Sequence, residues 1–535
     1  MQRRELLKDC AALGAAAAVP AITGCTAAQK ERTALPGDAL ETTVADAPAG
    51  RFRGFIRPGE PGVRVFLGIP FMKNPYEPVR RFLAPEPFER FEETVDCMAY
   101  GSVPLQPART AKPSEPRMKG GDGPLCLNIW APAEGGNLPV MVWVPGGGSI
   151  NCDQNDARFE GTAFARDGVI LVTLAYRVNV DGFMKVKGGD SNLGNRDIIA
   201  GLRWVKQNIA AFGGDPRRIT AFGQSAGGTH LVDVIASPLA KGLLAGAIIQ
   251  SPSAVAQWIS DEQADRAARY VCDALGVEPA REALMSLPIE KLADFRPLAG
   301  KLAGDREWAR FTCGNTSLFK GWVDGDLMPE RPVDALARGA AAGLRVIAGS
   351  THSEWRWYIV PNGQIDRIDE GAVARLLDGA RLPASLSESY ARAGRGTSPG
   401  DRFAQIQSDV IFRMPCVRLL ESLAAGGADV WAYSFDWESP VTGKSGAKLG
   451  AAHTTDVPFV FGTVKAPRAV ASVGTEPPAS LVRDMHGAWA EFAKTGRAPW
   501  APFSLQSRRS MSFSDRSHEV TDPWAFERLA VPDRR

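Results

Sequence analysis

Histidine is scarce in this chain, with five in 535 residues. Any chemistry that needs an imidazole must therefore draw on His230, His352, His453, His486 or His518. Cysteine is sparse too: eight positions and no Cys-x-x-Cys pair. The histidines are isolated and no pair of them sits at ligand spacing beside a cysteine or carboxylate, so no metal site is expected. Setting aside Cys10 and Cys25, the remaining Cys97, Cys126, Cys152, Cys272, Cys313 and Cys416 carry no spacing that selects a disulfide pairing. A basic block is missing as well, and the formal net charge is only +2. That argues against a nucleic acid as partner. No internal repeat or long low-complexity segment appears, which excludes a repeat array and leaves a globular chain with a sizeable core.

Long apolar runs are absent apart from one at the start. Ala11 to Ile22 is apolar and alanine-rich but short for a membrane span. It follows Gln2-Arg3-Arg4-Glu5-Leu6-Leu7-Lys8, which resembles a twin-arginine export signal. Ile22-Thr23-Gly24-Cys25 then reads as a lipobox, with Cys25 acylated after cleavage; ordinary signal-peptidase cleavage near Ala21 or Ala28 is the alternative. The expected organisation is an export segment over 1–25, a tether over 26–48 rich in Thr, Ala, Pro, Gly and Asp, and one domain over 49–535. The expected location is periplasmic, with membrane contact only through the N-terminal lipid.

Beyond the tether, β-rich apolar runs alternate with helix-like stretches. The strands read as Val140–Val144, Val169–Leu174, Ile219–Phe222, Ala247–Gln250, Leu344–Ala348 and Val430–Phe435. Short, almost continuously apolar strands separated by helices predict an α/β fold with a mostly parallel sheet covered on both faces. Between them, Asp197 to Phe212 places Ile198, Leu202, Val205 and Ile209 at helical spacing, closed by Gly213-Gly214. Met485 to Lys494 has a similar pattern.

One strand runs straight into Gly223-Gln224-Ser225-Ala226-Gly227, with helix-compatible sequence behind it. This resembles the nucleophile elbow of an α/β-hydrolase, in which a serine caps a sharp strand-to-helix turn beside a free backbone N–H. The pattern Gly-x-Ser-x-Gly is weak by itself; 55 glycines should produce it about 0.3 times by chance. A second match, Gly396-Thr397-Ser398-Pro399-Gly400, has no strand before it, and Pro399 lacks the N–H that an oxyanion would need. Ser225 is the candidate and Ser398 a loop serine.

A serine nucleophile needs a base, an acid to orient that base, and donors for the oxyanion. In an α/β-hydrolase these follow the order serine, acid, histidine. His230 and His352 precede any candidate acid, His486 lies in an amphipathic helix, and His518 sits in a polar C-terminal stretch. His453 remains. For the acid, Glu354 emerges just beyond the strand Leu344–Ala348, while Asp456, three residues after His453, reads as a local loop carboxylate and is its rival. The strand Val140–Val144 ends in Pro145-Gly146-Gly147-Gly148, where bare backbone N–H groups can approach a substrate.

Several motifs now occur together: Phe66-Leu67-Gly68-Ile69-Pro70, Leu127-Asn128-Ile129-Trp130, Gly213-Gly214-Asp215-Pro216, Gly223-Gln224-Ser225-Ala226-Gly227-Gly228 and Pro458-Phe459-Val460-Phe461-Gly462. In this order, from about residue 50 to about residue 525, they resemble the type-B carboxylesterases, the group of the bacterial p-nitrobenzyl esterases and the cholinesterases. The resemblance implies an α/β-hydrolase fold with insertions forming a lid or gorge, a Ser225–Glu354–His453 triad, and Gly147, Gly148 and Ala226 as oxyanion donors. It implies no cofactor. Ser251 falls where the family often keeps a second serine, structural or functional.

Departures from the pattern bear on substrate. Gln224 stands where the family usually has Glu, and Ser149 where an aromatic usually follows the glycines. Pro145 replaces a His, Tyr or Trp. Pro104 and Pro124 align with two cysteines that staple a loop in many relatives, and the enclosed Ala108–Gly123 contains no Trp. The expected substrate is a neutral or acidic, bulky small-molecule ester rather than a choline ester. The same fold could instead serve binding, and the same triad an amidase or lactone hydrolase. Trp355, Trp357 and Tyr358, just after Glu354, could line a gorge or pack the core.

Overall fold

The computed structural model describes residues 40–108, 118–253, 260–293 and 319–532. The export segment with Cys10 and Cys25, the stretch 26–39 and Cys313 lie outside the described residues.

A thirteen-stranded sheet organises the chain. Its twelve main strands are β1 (Thr42–Ala47), β2 (Gly50–Arg57), β3 (Glu60–Met72), β4 (Leu125–Pro132), β5 (Leu138–Val144), β6 (Ile170–Leu174), β7 (Gly214–Gln224), β8 (Gly246–Gln250), β9 (Arg345–Thr351), β10 (Asp429–Phe435), β11 (Arg509–Phe513) and β12 (His518–Thr521). Val95–Asp96 pairs beside β2. In space the order is β1-β2-β3-β4-β6-β5-β7-β8-β9-β10-β11-β12. The run from β6 to β11 is parallel, and antiparallel strands close both ends. The mostly parallel sheet is the one expected from the alternating strands and helices, and its architecture is the α/β-hydrolase fold that the family resemblance implies.

The parallel strands are apolar on both faces, and each face has its own core. Val140, Val142 and Val144 of β5 join Ile170, Val172 and Leu174 of β6 on one side. Met141 and Trp143 join Leu171, Phe222, Ile248 and Ile347 on the other. The helices α2 (Leu193–Asn208), α3 (Ala226–Ala236) and α5 (Met414–Ala425) contribute buried Ile198, Leu202, Leu231, Leu419 and Leu423 to the first core. Helix α6 (Ala479–Thr495) adds Leu481, Met485, Trp489 and Phe492 to the second. Side chains of this size are each worth about 1.5–3 kcal/mol when taken out of water. The interdigitated rings of Trp143, Phe159, Phe222 and Phe461 lie 4.8–5.5 Å apart beneath β7. They give the elbow a rigid floor.

Several boundaries differ from the sequence reading. The sheet begins at Thr42, inside the stretch expected to be tether, because Ala45 and Ala47 alternate inward against β2 while the polar residues between them face solvent. The helix expected to start at Asp197 starts at Leu193, after Asn192 in the left-handed region (φ 48°). Asp197 is interior to that helix and fully buried, accepting from the Arg177 guanidinium at 2.7 and 2.8 Å.

Candidate active site

Strands β5, β7, β8 and β9 present their C-terminal ends along one edge, the usual place for a site in an open parallel sheet. At the end of β7, Ser225 turns the chain with φ 59° and ψ −128°, a conformation costly for any residue with a Cβ. Its N–H donates to the Gln250 carbonyl at 2.9 Å, and its carbonyl accepts from Thr229 N–H at 2.9 Å to open α3. The flanking glycines answer to closeness rather than handedness. A Cβ on Gly227 would stand 2.1 Å from the Val144 carbonyl oxygen, and one on Gly223 2.9 Å from the same atom. Ala226 begins α3, so its N–H has no partner within the helix and points out of the helix terminus.

Glu354 and His453 are brought together, although 99 residues separate them in the chain. Glu354 Oε2 lies 2.5 Å from His453 Nδ1, and the other carboxylate oxygen accepts from Thr351 N–H at 2.9 Å. The His453 backbone N–H also donates to the Glu354 carbonyl, at 3.2 Å. Glu354 is 0% exposed and His453 2%. Beside the imidazole stands the Gln224 amide, with Nε2 3.2 Å from His453 Nε2 and 3.3 Å from Nδ1. The residue before Ser225 therefore touches the ring that Glu354 orients. Phe412 packs on the same ring at 4.6 Å and Tyr358 at 5.8 Å. Of the aromatic cluster, Tyr358 borders the imidazole and contacts Trp355, whereas Trp357 is buried in the core. Trp355 and Tyr358 also pack, partly buried, against that core.

A buried ion pair supports the loop that carries Glu354. Between α4 (Pro399–Ser408) and α5, residues Asp409–Arg413 form a π-helical turn. Arg413 pairs with Asp409 and donates to the carbonyl of His352, and both charged groups are buried. Burial pushes the Asp409 carboxyl up to about 7, against the opposing pull of Arg413. Tyr390 donates to Asp409 at 2.8 Å, and Glu527 of α7 (Ala525–Ala530) closes the cluster 3.8 Å from the guanidinium. Removing one partner of such a pair leaves a buried charge uncompensated. Arg413→Met is therefore expected to cost about 3–5 kcal/mol; urea denaturation beside the parent chain measures it, and an unchanged midpoint would contradict this account.

The candidate oxyanion strand end folds back on the elbow. A Cβ on Gly146 would meet the Gln224 carbonyl oxygen at 2.5 Å and Ser225 Cβ at 3.1 Å, so only glycine lets the two turns touch. Gly147 and Gly148 have φ 143° and 66°, and the Cβ direction of Gly148 faces open space. Tyr176 holds the start of this loop by donating to the Pro145 carbonyl at 2.6 Å. Ser251, at the end of β8, is fully buried with its backbone N–H on the Gly349 carbonyl at 2.7 Å. Among the described residues its hydroxyl has no hydrogen-bond partner.

Asp456 lies in the turn after His453, as a loop carboxylate, but it is buried. It is 0% exposed and accepts from Gln250 Nε2 at 2.8 Å and from Tyr433 OH at 3.4 Å. Burial pushes it up to about 6. His453 nonetheless takes Glu354 as its partner. The other histidines are engaged elsewhere: His352 with Ser353, His486 with the Val460 carbonyl, His518 with the Arg516 carbonyl. His230 contacts Ser149 across the oxyanion loop, a pairing between residues 81 apart that no local pattern announces. Ser398 caps α4 at its N-terminus and is exposed.

Cys97, Cys126, Cys152, Cys272 and Cys416 are free and buried. Burial pushes the Cys97 and Cys126 thiols up to about 12. Near the lost cysteine staple, buried Gln106 joins the chain to Cys152 through bonds of 2.6 and 3.2 Å. Among the described residues no group of His, Cys, Asp or Glu could hold a metal ion, and no helix is long and apolar enough to cross a membrane.

The sequence profile described as the carboxylesterase family matches residues 41–525. The chain belongs to that family. The para-nitrobenzyl esterase of Bacillus subtilis (strain 168) is 31% identical over 88% of this chain and 95% of its own. A phenmedipham hydrolase of Pseudarthrobacter oxydans is 31% identical over 92% and 98%. Among solved structures, a carboxylesterase of Geobacillus stearothermophilus superposes with a TM-score of 0.78 at 33% identity, covering 91% of this chain and 99% of that one. A para-nitrobenzyl esterase structure gives 0.72 at 29% identity, covering 91% and 99%. This carboxylesterase is accordingly a carboxylic ester hydrolase with the α/β-hydrolase fold.

Proposed function

We propose that this carboxylesterase hydrolyses its ester through an acyl-enzyme on Ser225, with His453 as proton carrier and Glu354 as its orienting carboxylate. The observation that carries the reading is the 2.5 Å contact between Glu354 Oε2 and His453 Nδ1, beside an elbow serine held in a strained conformation. Ser225 Oγ attacks the ester carbonyl as its proton passes to His453 Nε2. Negative charge then builds on the carbonyl oxygen, to which the N–H groups of Gly147, Gly148 and Ala226 donate. As the C–O bond breaks, the alcohol leaves with the proton from His453. Water repeats the sequence on the acyl-enzyme: His453 takes one proton, the carboxylic acid departs, and Ser225 Oγ is restored.

The substrate we assign is a neutral or acidic ester of some bulk. Gln224 beside His453 is uncharged, so a cationic ester gains no carboxylate there. Ser149 after the glycines is small, and the Cβ direction of Gly148 is open. Turnover of p-nitrophenyl esters from acetate to octanoate, beside acetylcholine, tests this. The expected outcome is hydrolysis across the series with choline-ester turnover about 100-fold lower or less, on the scale of a lost charge contact. Faster choline-ester hydrolysis would overturn the substrate assignment, and binding without turnover of any ester would favour a recognition role for the fold.

A further inference from the structure

Ser149 lies one residue beyond the candidate oxyanion donors, and its conformation is held from two sides. Its φ is 59°, which a residue with a Cβ adopts only under constraint. On one side, α1 (Asn179–Phe183) supplies the constraint. Asn179 N–H donates to the Ser149 carbonyl at 2.8 Å, and Asn179 Nδ2 donates to the Ile150 carbonyl at 2.9 Å. On the other, Ser149 Oγ lies 3.1 Å from His230 Nε2. The loop then closes on itself, with Ile150 and Asn151 N–H both on the Gly147 carbonyl, at 3.1 and 3.0 Å.

His230 is itself fixed. It sits on α3, one turn after Ser225, with its ring stacked on Phe183 at 4.3 Å and edge-on to Tyr176 at 5.4 Å. Among the described residues its Nδ1 has no hydrogen-bond partner, and it stands 3.9 Å from Asp233 Oδ2, an atom that accepts from Asn195 Nδ2 at 2.8 Å. A carboxylate on that side favours the tautomer with hydrogen on Nδ1, leaving the Nε2 lone pair for the Ser149 hydroxyl. Serine, histidine and aspartate thus stand in a row a second time, but Ser149 is only 5% exposed and the carboxylate is out of hydrogen-bond range. That arrangement suits an anchor rather than a nucleophile.

We propose that His230 is a positioning residue for the oxyanion loop: through Ser149 it fixes where the Gly147 and Gly148 N–H groups point relative to Ser225. This rests on the acyl-enzyme reading above, because only a tetrahedral intermediate draws on those donors fully. The helix that starts at the nucleophile thereby also sets the oxyanion loop, so nucleophile and donors share one rigid reference.

Steady-state hydrolysis of p-nitrophenyl butyrate by the full chain tests the proposal, using His230→Phe, Ser149→Ala and the double variant beside the parent and Ser225→Ala. His230→Phe keeps an aromatic ring against Phe183; Ser149→Ala removes the same hydrogen bond and leaves the imidazole in place. Each single variant is expected to lower kcat about tenfold or more, with KM changed less than about threefold, since the donors act chiefly on the transition state. The double variant should be no worse than the weaker single one, because both remove one interaction. Affinity for a trifluoromethyl ketone should fall in step with kcat. Folded variants with kcat within twofold of the parent, additive losses, or a loss confined to KM would overturn it. If His230→Phe does not fold, Ser149→Ala decides by the same criteria. A parent chain whose turnover survives Ser225→Ala would overturn the acyl-enzyme reading, and this proposal with it.

Discussion

Ser225→Ala is expected to abolish ester turnover, lowering kcat by about 10⁵- to 10⁶-fold, while leaving the unfolding transition where it was. The activity loss follows from removing the hydroxyl on which the proposed acyl-enzyme forms. The unchanged stability follows from the backbone. Serine and alanine both carry a Cβ, so the strain of φ 59° and ψ −128° is the same in each. Ser225→Gly separates the two effects. It should be equally inactive and about 1 kcal/mol more stable, because glycine occupies that region without a clash. Thermal melts and a p-nitrophenyl acetate assay on the three proteins supply the comparison. Substantial turnover by Ser225→Ala would mean that another group attacks the ester.

The second large effect concerns the two carboxylates near His453. Glu354→Gln is expected to lower kcat by about 10³- to 10⁴-fold with little change in KM. Thr351 N–H occupies one side-chain oxygen of Glu354 at 2.9 Å. If the glutamine oxygen keeps that bond, its NH₂ faces His453 Nδ1 and favours the tautomer with hydrogen on Nε2, which cannot accept the serine proton. Asp456→Asn makes the contrast, since Asp456 accepts from Gln250 and Tyr433 instead. A loss there below about tenfold fits a supporting role in holding β8 and its neighbours. If the two results were exchanged, the orienting carboxylate would be Asp456.

Much of this site could be read before any coordinates. The elbow was legible because its chemistry is local: a strand, a turn serine and flanking glycines occupy consecutive residues. Glu354 was found by its place just past an apolar strand, though β9 extends to Thr351, three residues beyond the apolar core of that run. The misses have a common cause in partners distant along the chain. Asp197 looks like a helix-start acid until Arg177 is seen against it. Asp456 looks like a local loop carboxylate until Gln250, 206 residues away, donates to it. The first strand reads as tether because the Ala, Pro, Gly and Asp around Thr42, Thr43 and Val44 have low strand propensity, and pairing with β2 makes that segment extended. The Ser149–His230 contact belongs to the same class: it exists only once α3 lies behind the candidate oxyanion loop.

The parallel sheet has a kinetic consequence. Neighbouring strands such as β5 and β7, or β9 and β10, pair residues roughly 80 apart, as in Met141 with Thr220 and Ile347 with Trp431. Each such closure must be completed before its contacts repay the lost chain entropy, which makes sheets of this kind slow to assemble. Glu354 and His453 meet only after β9 and β10 have paired and the chain has returned from α5. Helical signal can therefore recover early in refolding, whereas esterase activity belongs to the last molecules to finish. Activity per milligram is a stricter gauge of correctly assembled protein than circular dichroism.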